Sequence, residues 1–231
     1  MRVTLVEHTY QPQRLTALAA KICRDDKETK LLLEKLDDAG RSRLIRECLK
    51  KGHDSILEHA VFTFSLEGIS RVTTHQLVRH RIASYSQQSL RHTRIEEEDS
   101  FIMPPDIKEN DRAKQVFDNI CKRALSAYQA LIEMGIKPED ARYIIPMGVK
   151  SRILVTMNAR SLRNFFRLRT CQKAQWEIRT MAEAMLEKVK DVAPDLFADS
   201  GPPCLEGRCP EGDLECYEKM TKKLKKEKEN V

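Results

Sequence analysis

The residues best suited to chemistry lie between positions 76 and 91. They form an Arg-His-Arg block followed by serines and a further arginine: Arg79, His80, Arg81, Ser84, Ser89 and Arg91. Residues 68 to 95 contain five arginines and three histidines but no Asp, Glu or Lys. A guanidinium presents five donors in a rigid fork and pairs bidentately with phosphate or carboxylate. The pattern predicts a pocket for an anionic ligand, because a solvated basic face usually mixes both signs and uses lysine.

A second stretch without acidic residues extends from residue 141 to residue 176. It holds six arginines and two lysines, whereas the whole chain has a net charge of only +6. If the two stretches approach each other, they form one electropositive cleft that can hold several phosphates and raise the capture rate of anions. The uneven placement of charge therefore favours a site for multiply charged small molecules.

Two groups of residues could hold a metal. His53 and His59 flank two carboxylates, but a separation of six residues is neither the i,i+4 of one helix face nor a usual zinc pairing. Cys204, Cys209 and Cys216 have the spacing C-x4-C-x6-C, and no histidine follows Cys171. Zinc with a fourth ligand, a disulfide and free thiols all remain open for these three cysteines, and free thiols are favoured.

The elements that must position the basic residues follow from periodicity. Residues 2 to 8 and 61 to 67 alternate and predict strands, residues 12 to 23 predict a helix, and Gly40 is expected to interrupt a helical segment from 27 to 50. Ser70 is expected to cap a helix over residues 71 to 80. On that helix Gln76, Arg79 and His80 would share a face. Residues 89 to 95 predict a strand on which Ser89 and Arg91 point to the same side.

The second half of the chain is predicted to be mainly helical. Helices are expected over residues 107 to 134, 138 to 142, 159 to 170 and 174 to 192, with a strand from 152 to 157. Asn158 is a plausible N-cap of the third helix. Arg160 and Asn164 lie on one face of that helix, whereas Arg169 lies about 180° away at 100° per residue. Arg169 should therefore serve a different site.

These elements indicate an α+β fold, with a mostly antiparallel sheet flanked by long helices. We expect one domain over residues 1 to 200 and a Cys-containing loop with a charged tail over residues 201 to 231. The sequence has no Gly-x-Gly-x-x-Gly, so a Rossmann nucleotide site is not predicted. We expect no signal peptide and no membrane helix, which would need roughly 20 apolar residues. Scattered cysteines are typical of a reducing compartment, and we expect a cytoplasmic protein.

The Arg-His-Arg block also carries a family resemblance. With the serines and arginine that follow it, it resembles the R-H-R-x-x-S-x-x-x-x-S-x-R signature of the flavin-dependent thymidylate synthases. Similar segments of that family match Gly52 to His59 and Asn158 to Ile178, so the resemblance covers roughly residues 50 to 185. Ser86, Gln87, His92 and Lys173 depart from the usual residues of the family. Its members are homotetramers, which implies the same for this chain.

The resemblance implies a site and a reaction. The residues implied to hold dUMP are Gln76, Leu77, Val78, Arg79, Gln87, Gln88, Ser89, Leu90, Arg91, Arg142 and Arg169. Those implied to hold FAD are Ser55, Arg79, His80, Arg81, Gln87, Asn158, Arg160 and Asn164, and His53 is implied to lie near the folate. The implied reaction is reductive methylation of dUMP to dTMP, with methylenetetrahydrofolate as donor and FAD and NADPH as reductants. Arg169 would stabilise the activated pyrimidine at N3 and O2, with no metal.

The sequence offers two candidate nucleophiles, Ser89 and Cys204, and two other classes of function. A serine nucleophile needs an adjacent base, and the nearest titratable residues in sequence are His80 and His92. We expect Ser89 instead to position the ligand as a hydrogen-bond donor. Pro203-Cys204 resembles the Pro-Cys of the flavin-free thymidylate synthase only as a dipeptide. A nucleic-acid-binding protein would interleave aromatic residues with its basic residues, but aromatics make up 6% of this chain. A metal-binding module would explain only the C-terminal cysteines. We therefore expect small anionic ligands, and neither nucleic acid nor membrane.

Overall fold

A computed structural model describes residues 1–95, 99–207 and 209–229. The strands are β1 (Arg2–His8), β2 (Val61–Ser70), β3 (Ser84–Gln87) and β4 (Lys150–Asn158). The α-helices are α1 (Pro12–Ile22), α2 (Thr29–Glu34), α3 (Asp38–Lys50), α4 (Arg71–Leu77), α5 (Pro105–Lys108), α6 (Asp111–Glu133), α7 (Pro138–Ala141), α8 (Ala159–Arg169), α9 (Trp176–Val192), α10 (Pro194–Phe197) and α11 (Leu214–Glu229). Short 3-10 helices cover Asp54–His59, Arg142–Ile144 and Pro203–Glu206. The predicted α+β class is confirmed.

The four strands form one antiparallel sheet in the order β1-β2-β4-β3. The alternation predicted for β2 is present, because Phe62, Phe64 and Leu66 are fully buried while the residues between them are not. On the other face, the hydroxyls of Thr63 and Thr156 lie 2.9 Å apart and join β2 to β4. The sheet therefore buries one apolar face, as period-two alternation requires.

Two predictions beside the basic block were wrong. The helix that Ser70 caps ends at Leu77 rather than at residue 80, so Arg79 and His80 lie in the turn beyond it and do not share a helix face with Gln76. Residues 89 to 95 form a turn and not a strand. The strand of this region is β3, which precedes the turn. The physical reasons lie in side-chain hydrogen bonds that are described with the site.

Two helix boundaries also differ from the prediction. Gly40 lies inside α3, and the break falls instead at residues 35 to 37, because the Asp37 side chain caps α3 by accepting from the Gly40 nitrogen at 2.8 Å. The helix expected over residues 107 to 134 is divided into α5 and α6. Asn110 separates them, since its side chain accepts from the Ala113 nitrogen at 3.1 Å and starts α6. Both boundaries follow ordinary N-cap chemistry.

The chain forms two compact units. Unit 1 comprises residues 1–2, 65–81 and 85–155, and unit 2 comprises residues 3–64, 82–84 and 156–231. Unit 1 has an apolar core that includes Leu90, Leu125 and Tyr128. In unit 2 the ring of Phe197 packs edge-on against Phe62 and Phe166, with centroids 5.4 and 6.0 Å away. The domain boundary expected after residue 200 stays a prediction. No helix in the described part of the chain is long and apolar enough to cross a membrane.

Candidate active site

A turn built on Ser89 organises the candidate nucleotide site in unit 1. The Ser89 hydroxyl accepts a hydrogen bond from the Arg91 nitrogen at 3.2 Å. The Ser89 carbonyl accepts from the nitrogens of His92 and Thr93 at 3.2 and 3.0 Å, and from the Thr93 hydroxyl at 2.9 Å. These bonds satisfy the backbone locally and explain why residues 89 to 95 do not pair as a strand. The turn thereby fixes the backbone that carries Arg91.

Gln87 and Gln88 attach this turn to the rest of unit 1. The Gln87 amide donates to the hydroxyls of Thr74 at 3.0 Å and Ser151 at 3.1 Å. The Gln88 nitrogen donates to the Arg152 carbonyl at 2.9 Å. Arg152 and Ser151 belong to the second acid-free stretch, whereas Gln87 and Gln88 belong to the first. The two stretches therefore meet within unit 1, as the cleft hypothesis requires.

Arg71 is a cation of this cluster that the sequence analysis did not select. One of its terminal nitrogens donates to the Gln88 carbonyl at 2.9 Å, but its Nε is buried without a partner among the described residues. Burial and the neighbouring charge of Arg142 both lower the pKa of the Arg71 guanidinium. A half-buried arginine facing a second arginine is electrostatically unfavourable unless an anion is bound nearby. Arg71 is therefore a candidate phosphate ligand.

Arg91 and Arg142 are connected through Glu139. The Arg91 Nε lies 3.0 Å from a carboxylate oxygen of Glu139, and both side chains are partly exposed. The Arg142 Nε donates to the backbone carbonyl of Glu139 at 3.0 Å. Glu139 thus positions two arginines of the predicted dUMP set. Because this ion pair is exposed to solvent, its own contribution to stability is small, and a phosphate can compete with it for Arg91.

Tyr85 fixes the turn that carries the Arg-His-Arg block. Its hydroxyl lies 2.9 Å from the Leu77 carbonyl and 2.7 Å from the His80 carbonyl, to which it can donate. Burial raises the pKa of Tyr85 to about 12, so the hydroxyl stays a donor at neutral pH. These contacts give a hydrogen-bond partner to the Leu77 carbonyl at the end of α4 and to the His80 carbonyl beyond it, and the helix ends at Leu77. Arg79 and Arg81 are left exposed beyond it, with no carboxylate partner among the described residues.

The other residues of the predicted dUMP set differ in how far their side chains are exposed. Gln76 and Gln88 are partly exposed, and Val78 is 40% exposed at the end of α4. Leu77 and Leu90 are core side chains with 0% and 6% exposure, so either residue could contact a ligand only through its backbone. The polar residues of the set therefore supply the side chains that can contact a ligand, and the two leucines pack in the core.

Unit 2 holds the rest of the predicted flavin set on α8 and the 3-10 helix at Asp54–His59. The Asn158 side chain caps α8 by accepting from the Ser161 nitrogen at 2.8 Å, which confirms the predicted cap. Arg160 lies 2.5 Å from Glu58, and both are half exposed. The backbone link from Ala159 to the carbonyl of Ala60, at 2.7 Å, holds the two elements together.

Three further residues of the set lie on the surface of unit 2. Asn164 is exposed on α8, one turn after Arg160, so the two residues share a face as expected. Ser55 is exposed within the 3-10 helix, and His53 is exposed immediately before it. All three are accessible to a ligand. Glu58 was not selected from the sequence, although its position on the same short helix as Ser55 was a signal.

Arg169 ends α8 on the side of the helix opposite Arg160. The helix runs regularly to this residue, so the angular argument made from sequence is supported. Arg169 is partly buried, and this burial lowers the pKa of its guanidinium. A cation at the C-terminal end of a helix is favoured by the exposed carbonyl groups there. Arg169 and the Arg160/Asn164 pair therefore face different surroundings.

The structure also describes the residues considered as metal ligands or as a cysteine nucleophile. Within the described ranges, no three or more His, Cys, Asp or Glu side chains are arranged to hold a metal ion. Cys204, of the Pro203-Cys204 dipeptide, is partly buried, and burial is the largest cause of its raised thiol pKa. A protonated thiol is a poor nucleophile. The arginine cluster is thus the feature with the clearest chemistry.

Comparison with known proteins agrees with this geometry. The profile of the family described as "Thymidylate synthase complementing protein" matches residues 4–195. The flavin-dependent thymidylate synthase of Geobacter sulfurreducens is 46% identical over 218 residues, which is 94% of each chain. That of Pyrococcus furiosus is 43% identical over 237 residues, covering 98% of this chain and 97% of the relative. This chain belongs to the flavin-dependent thymidylate synthase family. It is a methyltransferase of dTMP biosynthesis and a flavoprotein.

A solved structure supports the fold of this flavin-dependent thymidylate synthase family member. The UMP/dUMP methylase PolB from Streptomyces cacaoi, bound with 5-Br dUMP, superposes with a TM-score of 0.72 and is 24% identical. The match covers 85% of this chain and 93% of that one. At this identity the likeness supports the shared α+β fold.

Proposed function

We propose that this protein converts dUMP to dTMP by reductive methylation, with methylenetetrahydrofolate as the one-carbon donor. NADPH would reduce FAD, and the reduced flavin would supply the hydride that converts the methylene group to a methyl group. The observation that carries the proposal is the cluster of Arg71, Arg91 and Arg142 around the Ser89 turn, in a member of this family. Guanidinium groups form charge-assisted, bidentate hydrogen bonds with phosphate and therefore suit a nucleotide monophosphate.

The residues of unit 1 would hold dUMP. Arg71, Arg91 and Arg142 would bind the phosphate. Among the described residues, Glu139 is the one acidic side chain in contact with these arginines, so most of their positive charge is not neutralised. Gln87 uses its amide nitrogen on two hydroxyls, so its carbonyl oxygen is left to accept from the nucleotide. The remaining dUMP ligands proposed are Gln76, Leu77, Val78, Arg79, Gln88, Leu90 and Arg169.

The residues proposed for FAD fit an anionic dinucleotide. Arg79 and Arg81 have no carboxylate partner among the described residues, and the amide nitrogen of Asn158 donates to no described protein atom. Arg160 has a partner in Glu58, but the pair is half exposed and can be exchanged for a phosphate at small cost. His80, Gln87, Ser55 and Asn164 complete the proposed set. When bound, the flavin supplies the hydride that the methylene carbon needs.

Arg169 is the proposed catalytic residue. Pyrimidine C5 must become nucleophilic before it can take the methylene carbon, and negative charge then develops on N3 and O2. The Arg169 guanidinium would stabilise this charge, in the way that fixed donors act in an oxyanion hole. Arginine stays protonated and cannot serve as the base. The partial burial of Arg169 strengthens its interaction with a developing charge.

Ser89 is proposed to position dUMP rather than to attack it. Its hydroxyl is occupied as an acceptor for the Arg91 nitrogen, and no described base contacts it. A serine nucleophile requires an adjacent base that can take its proton. The geometry therefore supports a reaction with no covalent bond between the protein and the pyrimidine.

The remaining proposals rest on family membership alone. We propose a homotetramer, a folate site near His53, and a cytoplasmic location. For the domains, we propose a catalytic region over residues 1 to 200 followed by the Cys-containing loop and charged tail of residues 201 to 231. Small anions are the proposed ligands.

The purified protein should first be examined by visible absorbance under anaerobic conditions, with NADPH added in the presence and absence of dUMP. We expect a bound flavin spectrum that bleaches and responds to dUMP. Addition of methylenetetrahydrofolate should then yield dTMP, identified by mass spectrometry. UMP is the matched control for recognition of the deoxyribose. A protein that takes up no added FAD, or that bleaches without forming dTMP, would overturn the proposal.

A further inference from the structure

The carboxylate of Glu139 is an internal anion of the arginine cluster in unit 1. One of its oxygens lies 3.0 Å from Arg91 Nε, and its backbone carbonyl accepts from Arg142 Nε at 3.0 Å. The charge of Arg142 adds to burial in lowering the pKa of Arg71, so these two arginines lie near each other. In the described parts of the chain, no second acidic side chain contacts the three arginines.

The charge of this cluster matches that of one phosphate monoester. Three guanidinium groups and one carboxylate leave two positive charges. At neutral pH a phosphate monoester carries a charge of about −1.5 to −2, and a diphosphate ester carries about one negative charge more. A nucleoside monophosphate therefore neutralises the cluster with Glu139 in place, whereas a diphosphate leaves an excess of negative charge.

Burial limits the directions in which a longer phosphate chain can extend. Leu90 and Ala141, which directly precede Arg91 and Arg142, belong to the apolar core of unit 1 and are 6% and 0% exposed. The Glu139 side chain is 37% exposed and that of Arg91 is 56% exposed, so their ion pair lies on the solvent side of the cluster. A second phosphate would therefore extend toward solvent, on the side where the Glu139 carboxylate lies.

We propose that Glu139 is a specificity-determining residue that selects nucleoside monophosphates over di- and triphosphates. This inference rests on the proposed function, in which Arg71, Arg91 and Arg142 bind the phosphate of dUMP. The Glu139 carboxylate repels a second phosphate, because two negative charges a few ångströms apart raise the free energy of the complex. The arginines thus favour the correct substrate, while Glu139 acts against its longer analogues.

The substitution Glu139→Gln separates this role from that of a structural support. Glutamine has nearly the same shape, and its side-chain oxygen can still accept from Arg91 Nε. The backbone carbonyl that accepts from Arg142 is unchanged. The substitution therefore removes the negative charge and little else. A purely structural role of Glu139 would change the binding of dUMP and dUDP by the same factor, so the ratio of their dissociation constants is the informative quantity.

The test is calorimetric titration of the full-length wild-type and variant proteins with dUMP and with dUDP. We expect the wild type to bind dUMP more tightly than dUDP. In Glu139→Gln the ratio of the Kd for dUDP to the Kd for dUMP should fall about three- to tenfold, as expected when a partly exposed charge is removed from the neighbourhood of another. High salt should reduce this difference between the two proteins, because it screens partly exposed charges.

Asp140→Asn is the matched control for the change in charge. Asp140 also lies in the first turn of α7, but it is exposed and forms no ion pair with a described residue, so its substitution should leave the ratio as in the wild type. An unchanged ratio in Glu139→Gln, or an equal change in Asp140→Asn, would overturn the role of Glu139 while dUMP still binds. Failure of the wild type to bind dUMP would instead contradict the proposed function itself, and this inference with it.

Discussion

Arg71 and Arg142 lie close enough that the charge of Arg142 adds to burial in lowering the pKa of the Arg71 guanidinium. Both arginines lie in unit 1, on segments separated by some seventy residues of sequence, and the Arg71 Nε is buried without a partner in the described chain. Two adjacent cations are stabilised when an anion binds them both. This relationship supports the proposal that the phosphate of dUMP binds between the two side chains.

Replacement of Arg71 should therefore weaken dUMP binding. Arg71→Gln removes a charged donor, and hydrogen bonds to charged groups contribute about 1.5–3 kcal/mol, which corresponds to a loss of affinity of about 10- to 100-fold. Calorimetric titration with dUMP measures the effect. Arg112→Gln, on the exposed surface of α6, is the control and should bind dUMP normally. An unchanged affinity in a folded Arg71→Gln protein would exclude Arg71 from the phosphate site.

Ser89→Ala should retain measurable dTMP formation. The substitution removes one acceptor for the Arg91 nitrogen, a neutral hydrogen bond that contributes about 0.5–1.5 kcal/mol. We expect weaker dUMP binding and a kcat within about tenfold of wild type, since no bond to the pyrimidine is lost. Single-turnover assays at saturating dUMP separate the two effects. Complete loss of product with intact flavin and dUMP binding would instead identify Ser89 as a nucleophile.

Tyr85→Phe should loosen the turn that carries Arg79 and His80. The lost hydroxyl contacts correspond to about 0.5–1.5 kcal/mol of unfolding free energy, and we expect a Tm lower by a few degrees, about 2–4 °C per kcal/mol. FAD affinity should fall as well, because the turn positions its proposed ligands. Tyr143→Phe, at a side chain that is 84% exposed, is the control. A Tyr85→Phe protein with wild-type Tm and FAD affinity would contradict this role.

The same tyrosine gives a pH dependence. Its pKa is about 12 when folded and 10.0 as the ordinary value. Between these values the folded chain keeps a proton that the unfolded chain has lost, so this contribution is fully present below pH 10 and is lost as the pH rises from 10 to about 12. Denaturant titrations of wild type and Tyr85→Phe should therefore converge over this range. A constant difference in unfolding free energy would show that Tyr85 is not the group involved.

Asn158 caps α8 and is proposed to bind FAD, and two substitutions can separate these roles. Asn158→Ser keeps an oxygen that can cap α8 but removes the amide nitrogen proposed to contact FAD. We expect Asn158→Ser to weaken flavin binding with little change in stability. Asn158→Ala should also lose about 0.5–2 kcal/mol of stability through the missing cap. Flavin titration and thermal melting measure the two properties. Normal flavin binding in Asn158→Ser would limit Asn158 to the cap.

Arg169→Lys tests the proposed catalytic arginine. Lysine keeps the charge but loses the planar fork that can contact N3 and O2 together. Removal of one preorganised donor from an oxyanion-type site costs about 10²–10³ in kcat, and we expect a loss of that order. Flavin bleaching by NADPH should continue, because Arg169 lies on the side of α8 opposite Arg160. A kcat near that of wild type would remove Arg169 from the chemical step.

The elements that the sequence predicted well are those with local causes. Ser70 and Asn158 cap their helices through side-chain oxygens that accept from backbone nitrogens three residues later. The burial of Phe62 and Phe64 follows from alternation along one strand. The errors arise where side-chain or turn hydrogen bonds, which hydrophobic periodicity does not reveal, satisfy the backbone. The Leu77 carbonyl accepts a hydrogen bond from the Tyr85 hydroxyl, and α4 ends at this residue. The side chain and carbonyl of Ser89 hold a turn where a strand was expected.

The sequence by itself determined which residues carry charge without counter-charge. An arginine-rich stretch with no carboxylate must be solvated or bind an anion, whatever its fold. The tertiary structure decided which of these charges meet. It alone placed Arg71 near Arg142, joined Gln87 to Ser151, and brought Lys173 to Asp213. These contacts join segments distant in sequence, and no local propensity specifies them, because they depend on how the strands and helices pack.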